Sequence, residues 1–375
     1  MTRVGADRRK GHSITDRAII LFSSKTTAEQ LVAGLPAAAR ALREAGLAGI
    51  GDCAVTIPEG WSPSALCCAE IARLAPGMKV SFSAEQPALD QAAQTSLLIS
   101  GERQIKADEL RLLLDGRDPV AGVEWSGSAD SQTIARLRDS GGKAALSAAG
   151  RQIIAGTGKS SDGIVSRHIN RPISKAISGV LLRFPAIRPL HGTMLTAAIA
   201  IIMIYFLFQG TQHGLMIGAI LFQLASIIDG VDGEIARATF RSTPQGAMID
   251  SLIDATANLG FIGGVTLNLY MQSEVIAATA GAAGLIMLAT GLTLIGFRGR
   301  KNEAGLTFNA VKEHFSAQRS RVMTWLTWLT MRDFFALVGA VLILAGFGPP
   351  ALVLFAVVTT GWLAVVMAVM FRQAA

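Results

Sequence analysis

The residues best suited to chemistry lie between positions 229 and 254: Asp229, Asp232, Gly233, Ala236, Arg237, Gly246, Asp250 and Asp254. They interrupt long apolar runs. An ionisable group at membrane depth costs ~2.5–3.5 kcal/mol on insertion scales, so such a cluster of carboxylates marks a functional site. Asp229 and Asp232 are spaced i,i+3 and Asp250 and Asp254 i,i+4, so each pair shares one helical face. Two such pairs facing each other would form an all-oxygen cage for hard divalent cations. Without a cation the carboxylates would repel one another. Two ions there could bridge a diphosphate and neutralise charge on a leaving group, and a carboxylate left free of metal could take a hydroxyl proton. Gly233 and Gly246 allow close approach of a ligand or backbone. Arg237 offers a planar donor fork for phosphate or a polar base.

The elements that must position these groups are apolar. Of 375 residues, 51% are hydrophobic, and they concentrate after residue 185. Six runs, roughly 190–209, 212–230, 246–271, 275–297, 331–347 and 350–371, each approach the ~20 residues needed to cross a bilayer. The segments 166–188, 233–245 and 298–332 carry Arg and Lys, whereas the links around 210–212, 272–274 and 346–349 carry none. Basic loops on alternate links put both termini and the Asp motif's loop on the cytoplasmic face of a cell or inner membrane. The net charge of +7 follows from this topology. Aromatics are only 6%, which argues against a nucleic-acid partner. Cys53, Cys67 and Cys68 fit neither a disulfide framework nor a zinc site and read as core thiols in a reducing compartment. The charged first residues lack a following apolar stretch, so no cleavable signal peptide is expected.

The first half alternates short apolar runs with helical patterns. Strands are expected at 18–22, 53–57, 79–82, 96–99 and 121–125, and helices at 27–45, 63–74 and 107–114. That alternation implies a parallel sheet. The expected fold class is an α/β Rossmann-like cytosolic domain plus an all-α six-helix transmembrane domain. The divisions are a polar tail at 1–15, the α/β domain at 16–150, a linker and juxtamembrane helix at 151–188, and the six-span domain at 189–375. Residues 166–184, with Arg167, Arg171, Lys175 and Arg183, read as a basic amphipathic helix on the membrane surface, broken or re-aimed by Pro172. Gly158-Lys159-Ser160 is not a Walker A motif, because position 153 is Ile and no strand precedes it.

The spacing D-x2-D-G-x2-A-R-x8-G-x3-D-x3-D, met at every defined position by residues 229–254, resembles the signature of the CDP-alcohol phosphotransferases. The resemblance covers about 160–375. It implies that Asp229, Asp232 and Asp250 ligate two Mg²⁺ or Mn²⁺ ions, and that Asp254 is the catalytic base, with a share in the second metal site. It also implies that Gly233, Ala236, Arg237 and Gly246 line the CDP site. The reaction implied is displacement of CMP from a CDP-linked donor (CDP-diacylglycerol or a CDP-polyol) by a hydroxyl acceptor. That chemistry belongs to phospholipid or inositol-phosphate-type lipid synthesis, performed among membrane lipid by a homodimer. Where many members carry Pro-Asn-x-x-Thr, this chain has Pro189-Leu190-His191-Gly192-Thr193, which keeps Thr193 at the nucleotide site but replaces Asn by Leu190.

The segment from Lys159 to Ser174 resembles the junction of fusion members such as the di-inositol-phosphate-phosphate synthases, which carry a cytosolic nucleotidyltransferase-like domain. Val32-Ala-Gly-Leu-Pro36 is similar to a sugar-phosphate nucleotidyltransferase. Yet Phe22-Ser23-Ser24-Lys25-Thr26-Thr27 holds no glycine, and no metal-binding Asp follows the strand ending in Ser100-Gly101-Glu102. A degenerate, non-catalytic domain is expected. Arg298, Arg300, Lys301, Lys312, Arg319 and Arg321, with Arg241, are candidates for an anionic acceptor. His168, His191, His213 and His314 lack an i,i+4 metal partner and read as polar contacts. The rival reading is a membrane transporter using the carboxylates for cation coupling. It is disfavoured because no repeat is evident and the carboxylates sit on one helix pair.

Overall fold

The computed structural model describes residues 17–84, 96–116, 119–126, 129–159, 162–301 and 332–372. The chain divides into two compact units, Met1–Gly156 with Leu182–Pro185, and Thr157–Leu181 with Ala186–Ala375.

The first unit is built on β1 (Arg17–Leu21), β4 (Asp52–Thr56), β5 (Lys79–Ser83), β6 (Leu97–Ser100) and β7 (Val123–Trp125). The sheet order is β5-β4-β1-β6-β7. The first four strands are parallel, and β7 runs antiparallel to β6. Strand β1 has an apolar core sequence because both faces of a parallel sheet are covered. Ala18, Ile20 and Phe22 enter one cluster, and Ile19 and Leu21 the other.

One expected helix is interrupted. In place of a continuous 27–45, α1 (Lys25–Ala28) is followed by a hairpin of β2 (Leu31–Val32) and β3 (Leu35–Pro36), then by α2 (Ala37–Leu47). The hairpin turns through Ala33 (φ +46°) and Gly34 (φ +86°), a pairing of positive φ angles that favours tight two-residue turns. Buried Arg40 pins it, donating from Nε to Val32 O (2.8 Å) and from Nη2 to Ala33 O (3.0 Å). Burial pushes this guanidinium down to about 10, against the opposing pull of Glu44. The helix expected at 63–74 is α3 (Ala65–Leu74), and that at 107–114 is α4 (Ala107–Leu114). Two unforeseen helices follow, α5 (Ser131–Arg138) and α6 (Gly142–Ala155); the latter lies mostly within the expected α/β domain and runs into the expected linker only at 151–155. Cys53 and Cys67 are buried, and burial raises both thiols to about 12, which leaves them unreactive. Cys68 is exposed.

The strand order reverses between β1 and β6, where such folds bind ligands beyond the strand ends. Here the fully buried Glu102 carboxylate fills that position. It accepts hydrogen bonds from Ser23 N (3.3 Å), Ser140 N (3.1 Å) and Gly142 N (2.8 Å), and from Ser23 Oγ. Amides that would bind a phosphate elsewhere are engaged by the chain's own anion.

The second unit is helical. A π turn (Ser166–Asn170) leads into α7 (Arg171–Leu181). Pro172 does not break this helix, because the π turn widens the coil just ahead of its ring and missing N–H. Then come α8 (Pro189–Leu207), α9 (Gln212–Ala238), α10 (Pro244–Met271), α11 (Val275–Lys301), α12 (Arg332–Leu344) and α13 (Gly348–Arg372). Helices α8, α9 and α10 are long and apolar enough to cross a bilayer, and shorter apolar stretches lie at Val275–Gly291, Asp333–Leu344 and Gly348–Ala364. Phe222 and Phe261 stack at 3.9 Å between α9 and α10. Met203, Leu207, Leu215, Val265, Ala336 and Leu352 extend the same core. Leucine and isoleucine remain exposed on the outer faces, as at Ile201, Ile220 and Leu252, the pattern of helices whose surroundings are apolar.

Candidate metal and phosphate site

Helices α9 and α10 bring the motif together across a five-residue link. The last turns of α9 carry Asp229, Asp232, Gly233, Ala236 and Arg237. The first turns of α10 carry Gly246, Asp250 and Asp254, and this helix is started by Thr243, whose Oγ1 caps Gly246 N at 3.0 Å. Pro244 at the first turn suits that start. Asp229, Asp250 and Asp254 are half-buried, and one carboxylate oxygen from each lies within 4.8 Å of the others. This hard, all-oxygen donor set fits a divalent cation of the Mg²⁺ or Mn²⁺ kind. Asp232 lies deeper. It interacts with Asp250 and accepts a hydrogen bond from Thr193 Oγ1 of α8.

The approach of α8 to α9 depends on Gly192. A methyl there would stand 2.9 Å from Asp232 Cβ and 3.1 Å from its Cα and N. Gly192→Val therefore forces backbone apart. We expect a loss of about 1–3 kcal/mol in stability, as for overpacking generally, together with weaker Mn²⁺ binding as the Thr193–Asp232 bond is lost. Thermal melts and Mn²⁺ titration check this, and unchanged values for both would contradict it. Leu190, two residues earlier, is exposed.

Arg237 folds back over Gly233: a methyl at Gly233 would lie 2.9 Å from Arg237 Nη1 and 3.2 Å from Nη2. Its Nε donates to Thr157 O at 2.7 Å, and its buried Nη2 has no hydrogen-bond partner among the described residues. Ala236 is half-buried and Gly246 exposed. His191 Nδ1 accepts from Arg188 N, and His168 and His213 are exposed. The side chains of Arg298, Arg300 and Lys301, and residues 302–331 with Lys312, His314, Arg319 and Arg321, lie outside the described residues.

Arg171 is not the lipid-facing cation its neighbours suggest. It is bidentate to Asp162, Nε to Oδ2 at 2.9 Å and Nη2 to Oδ1 at 3.0 Å, and its Nη1 reaches Glu234 Oε1 at 3.1 Å. Burial opposes charge on both Asp162 and Arg171, but their mutual hydrogen bonds outweigh it. The carboxyl is held below its usual range and the guanidinium above. Glu234 is fully buried, and Ser174 Oγ (2.6 Å) and Ser178 Oγ (2.7 Å) also donate to it. This carboxylate, one residue past Gly233, is absent from the sequence-derived site. The available signal is the i,i+4 pair Ser174 and Ser178 opposite a charge in an apolar helix. The same segment buries Asn170, Ser174 and Ser178 and exposes Ile169, Ile173 and Val180, so its apolar side faces outward.

Residues 189–374 match the profile of the family described as CDP-alcohol phosphatidyltransferase. Residues 189–374 carry this family's domain. Three curated relatives of the chain are each named a bifunctional IPC transferase and DIPP synthase. The Rubrobacter xylanophilus protein is 30% identical over 213 residues, 56% of this chain and 44% of that protein. The Thermococcus kodakarensis protein is 38% identical over 112 residues, 30% of this chain and 24% of that protein. The Aquifex aeolicus protein is 34% identical over 109 residues, 29% and 24% respectively. The chain thus spans less than half the length of these relatives. The phosphatidyltransferase match begins at Pro189, so the Asp162–Arg171 pair precedes it and Glu234 lies inside it.

Proposed function

We propose that the helical unit transfers a phosphatidyl or other phospho-alcohol group from a CDP-linked donor to a hydroxyl acceptor and releases CMP. The convergence of Asp229, Asp250 and Asp254 within 4.8 Å, beside Arg237, whose Nη2 has no hydrogen-bond partner among the described residues, carries this reading.

Asp229, Asp232 and Asp250 would hold two Mg²⁺ or Mn²⁺ ions, with Asp254 sharing in the second site. When bound, the cations supply charge neutralisation for the diphosphate and its leaving group. Thr193 orients Asp232 toward Asp250. Gly233, Ala236 and Gly246 leave space for the nucleotide, and Arg237 donates to donor phosphate. Asp254 accepts the acceptor's hydroxyl proton. The acceptor oxygen then bonds to the phosphorus bearing the donor's alcohol, the bond from that phosphorus to the bridging oxygen breaks, and CMP leaves with the electron pair.

The alternating basic loops support an orientation with both termini and the motif's loop at the cytoplasmic face of the cell membrane. The exposed apolar side of α7 supports a helix lying in the lipid interface. The buried Glu102 supports a non-catalytic role for the first unit. A homodimer is the expected assembly. The resemblance of the 159–174 segment to the junction of the di-inositol-phosphate-phosphate synthases supports an inositol-phosphate-type acceptor. Purified protein with Mn²⁺, given CDP-diacylglycerol or a CDP-polyol and a panel of polyols and polyol phosphates, is expected to yield CMP and one new phosphodiester by mass spectrometry. No product from any pair would overturn the proposal.

A further inference from the structure

Helix α9 is polar on two faces. One carries Asp229 and Asp232. The other carries Gln223, Ser226, Gly230, Glu234 and Arg237, at helical spacing, and turns toward the π turn and α7: Asn170 joins Gln223 and Ser226, and Arg171 reaches Gly230 O and Glu234. We propose that Asp162, Arg171 and Glu234 form a clamp that positions Arg237 for the donor's phosphates. The proposal rests on the phosphotransferase reading above.

A fully buried carboxylate is costly unless its partners satisfy it, and apolar packing would hold two helices at least as well. Glu234 is satisfied in full, by Arg171, Ser174 and Ser178. The triad nonetheless holds two carboxylates and one guanidinium, which leaves one negative charge. Arg237 lies in Coulombic reach of Arg171, whose like charge opposes it, and of Glu234 and Asp162, which attract it; Lys159 also lies in reach of Asp162.

The clamp and Arg237 also share one backbone segment. Asp162 is gripped by Arg171 and accepts from Lys159 N at 2.9 Å, which ties Lys159 to it. A few residues earlier, Thr157 O accepts the Arg237 Nε proton. Gly158 fits between: a methyl there would sit 3.5 Å from Lys175 Nζ and 3.7 Å from Asp162 Oδ2. Holding Lys159 through Asp162 holds Thr157 O two residues before it, and Thr157 O fixes the guanidinium plane. Nη2 is then presented beside Asp232-Gly233 with a proton to donate. Arg237 also lies in Coulombic reach of Asp232. Released from Thr157, it could fold onto the acidic cluster and compete with cations. The clamp keeps the arginine on the phosphate and off the metal ligands, which makes Asp162, Arg171 and Glu234 positioning residues.

The test is CDP affinity of the purified full chain, by calorimetry with Mn²⁺ present, across a double-mutant cycle. Glu234→Gln and Arg237→Ala are each expected to weaken CDP about tenfold, and the double variant to bind no more weakly than Arg237→Ala alone. Asp162→Asn, outside the long helices, is expected to reproduce Glu234→Gln and carries the test if that variant does not accumulate. Wild-type CDP affinity in both Glu234→Gln and Asp162→Asn would overturn the clamp, and so would losses that simply multiply in the double variant, as a merely structural role predicts. Failure of the wild type itself to bind CDP would overturn the phosphotransferase reading and the clamp with it.

Discussion

Asp254→Asn is expected to lower kcat by about 10²–10⁴-fold, the usual worth of a positioned general base, while Mn²⁺ affinity changes little. The amide keeps an oxygen where the carboxylate stood but cannot take a proton at neutral pH. The substitution separates two roles that the geometry places side by side, since Asp254 lies in the same half-buried cluster as Asp229 and Asp250. Single-turnover CMP release and Mn²⁺ titration of the same preparation check it. Retained turnover would remove the base assignment. Parallel loss of turnover and Mn²⁺ binding would make Asp254 chiefly a ligand.

Asp250→Ala should have a larger and different effect. Asp250 faces both Asp232 and Asp254 and stands in the three-carboxylate cluster. Its removal is expected to abolish turnover and metal binding together. Stability gives a second readout. A cation that binds only the folded protein stabilises it by about 2.7 kcal/mol at a hundredfold excess over Kd. Wild type should gain that increment on adding Mn²⁺, and Asp250→Ala should gain none. Without metal the variant should be no less stable than wild type, because one of four repelling carboxylates is gone. A Mn²⁺-dependent rise in melting temperature in Asp250→Ala would contradict the assignment.

The carboxylate pairs are legible in the sequence because helix periodicity is local: i,i+3 and i,i+4 spacing fixes a shared face whatever surrounds it. The apolar helices α8 to α13 are legible because the length of an apolar run is also a local property. Helix α12 spans 13 residues, about 20 Å at 1.5 Å per residue, short of a ~30 Å hydrocarbon core, although the residues before it lie outside those described. What escapes a linear reading is long-range. Glu234 finds Arg171, Ser174 and Ser178 from 63, 60 and 56 residues away, and Glu102 meets Ser23 across 79. Such pairings leave no periodic trace.

The hairpin at Ala33–Gly34 was concealed because alanines on both sides extend an apparent helical pattern, and only Gly34 and Pro36 disagree. Helix α6 was concealed by its composition. Gly142, Gly150 and several alanines lack large apolar residues at regular spacing, yet Gly150 is needed, because a methyl there would meet Ala33 N at 3.3 Å. Antiparallel β7 carries too few residues to declare its direction.

The central claim is that the acidic cluster supports cation-dependent displacement of CMP. The most direct measurement is CMP release by purified protein from a CDP-linked donor and hydroxyl acceptor, after chelation and after return of Mg²⁺ or Mn²⁺. CMP production that stops with chelator, returns with the cation and is lost in Asp250→Ala is the result this account predicts. CMP release that continues unchanged in the chelated protein or in Asp250→Ala would contradict it.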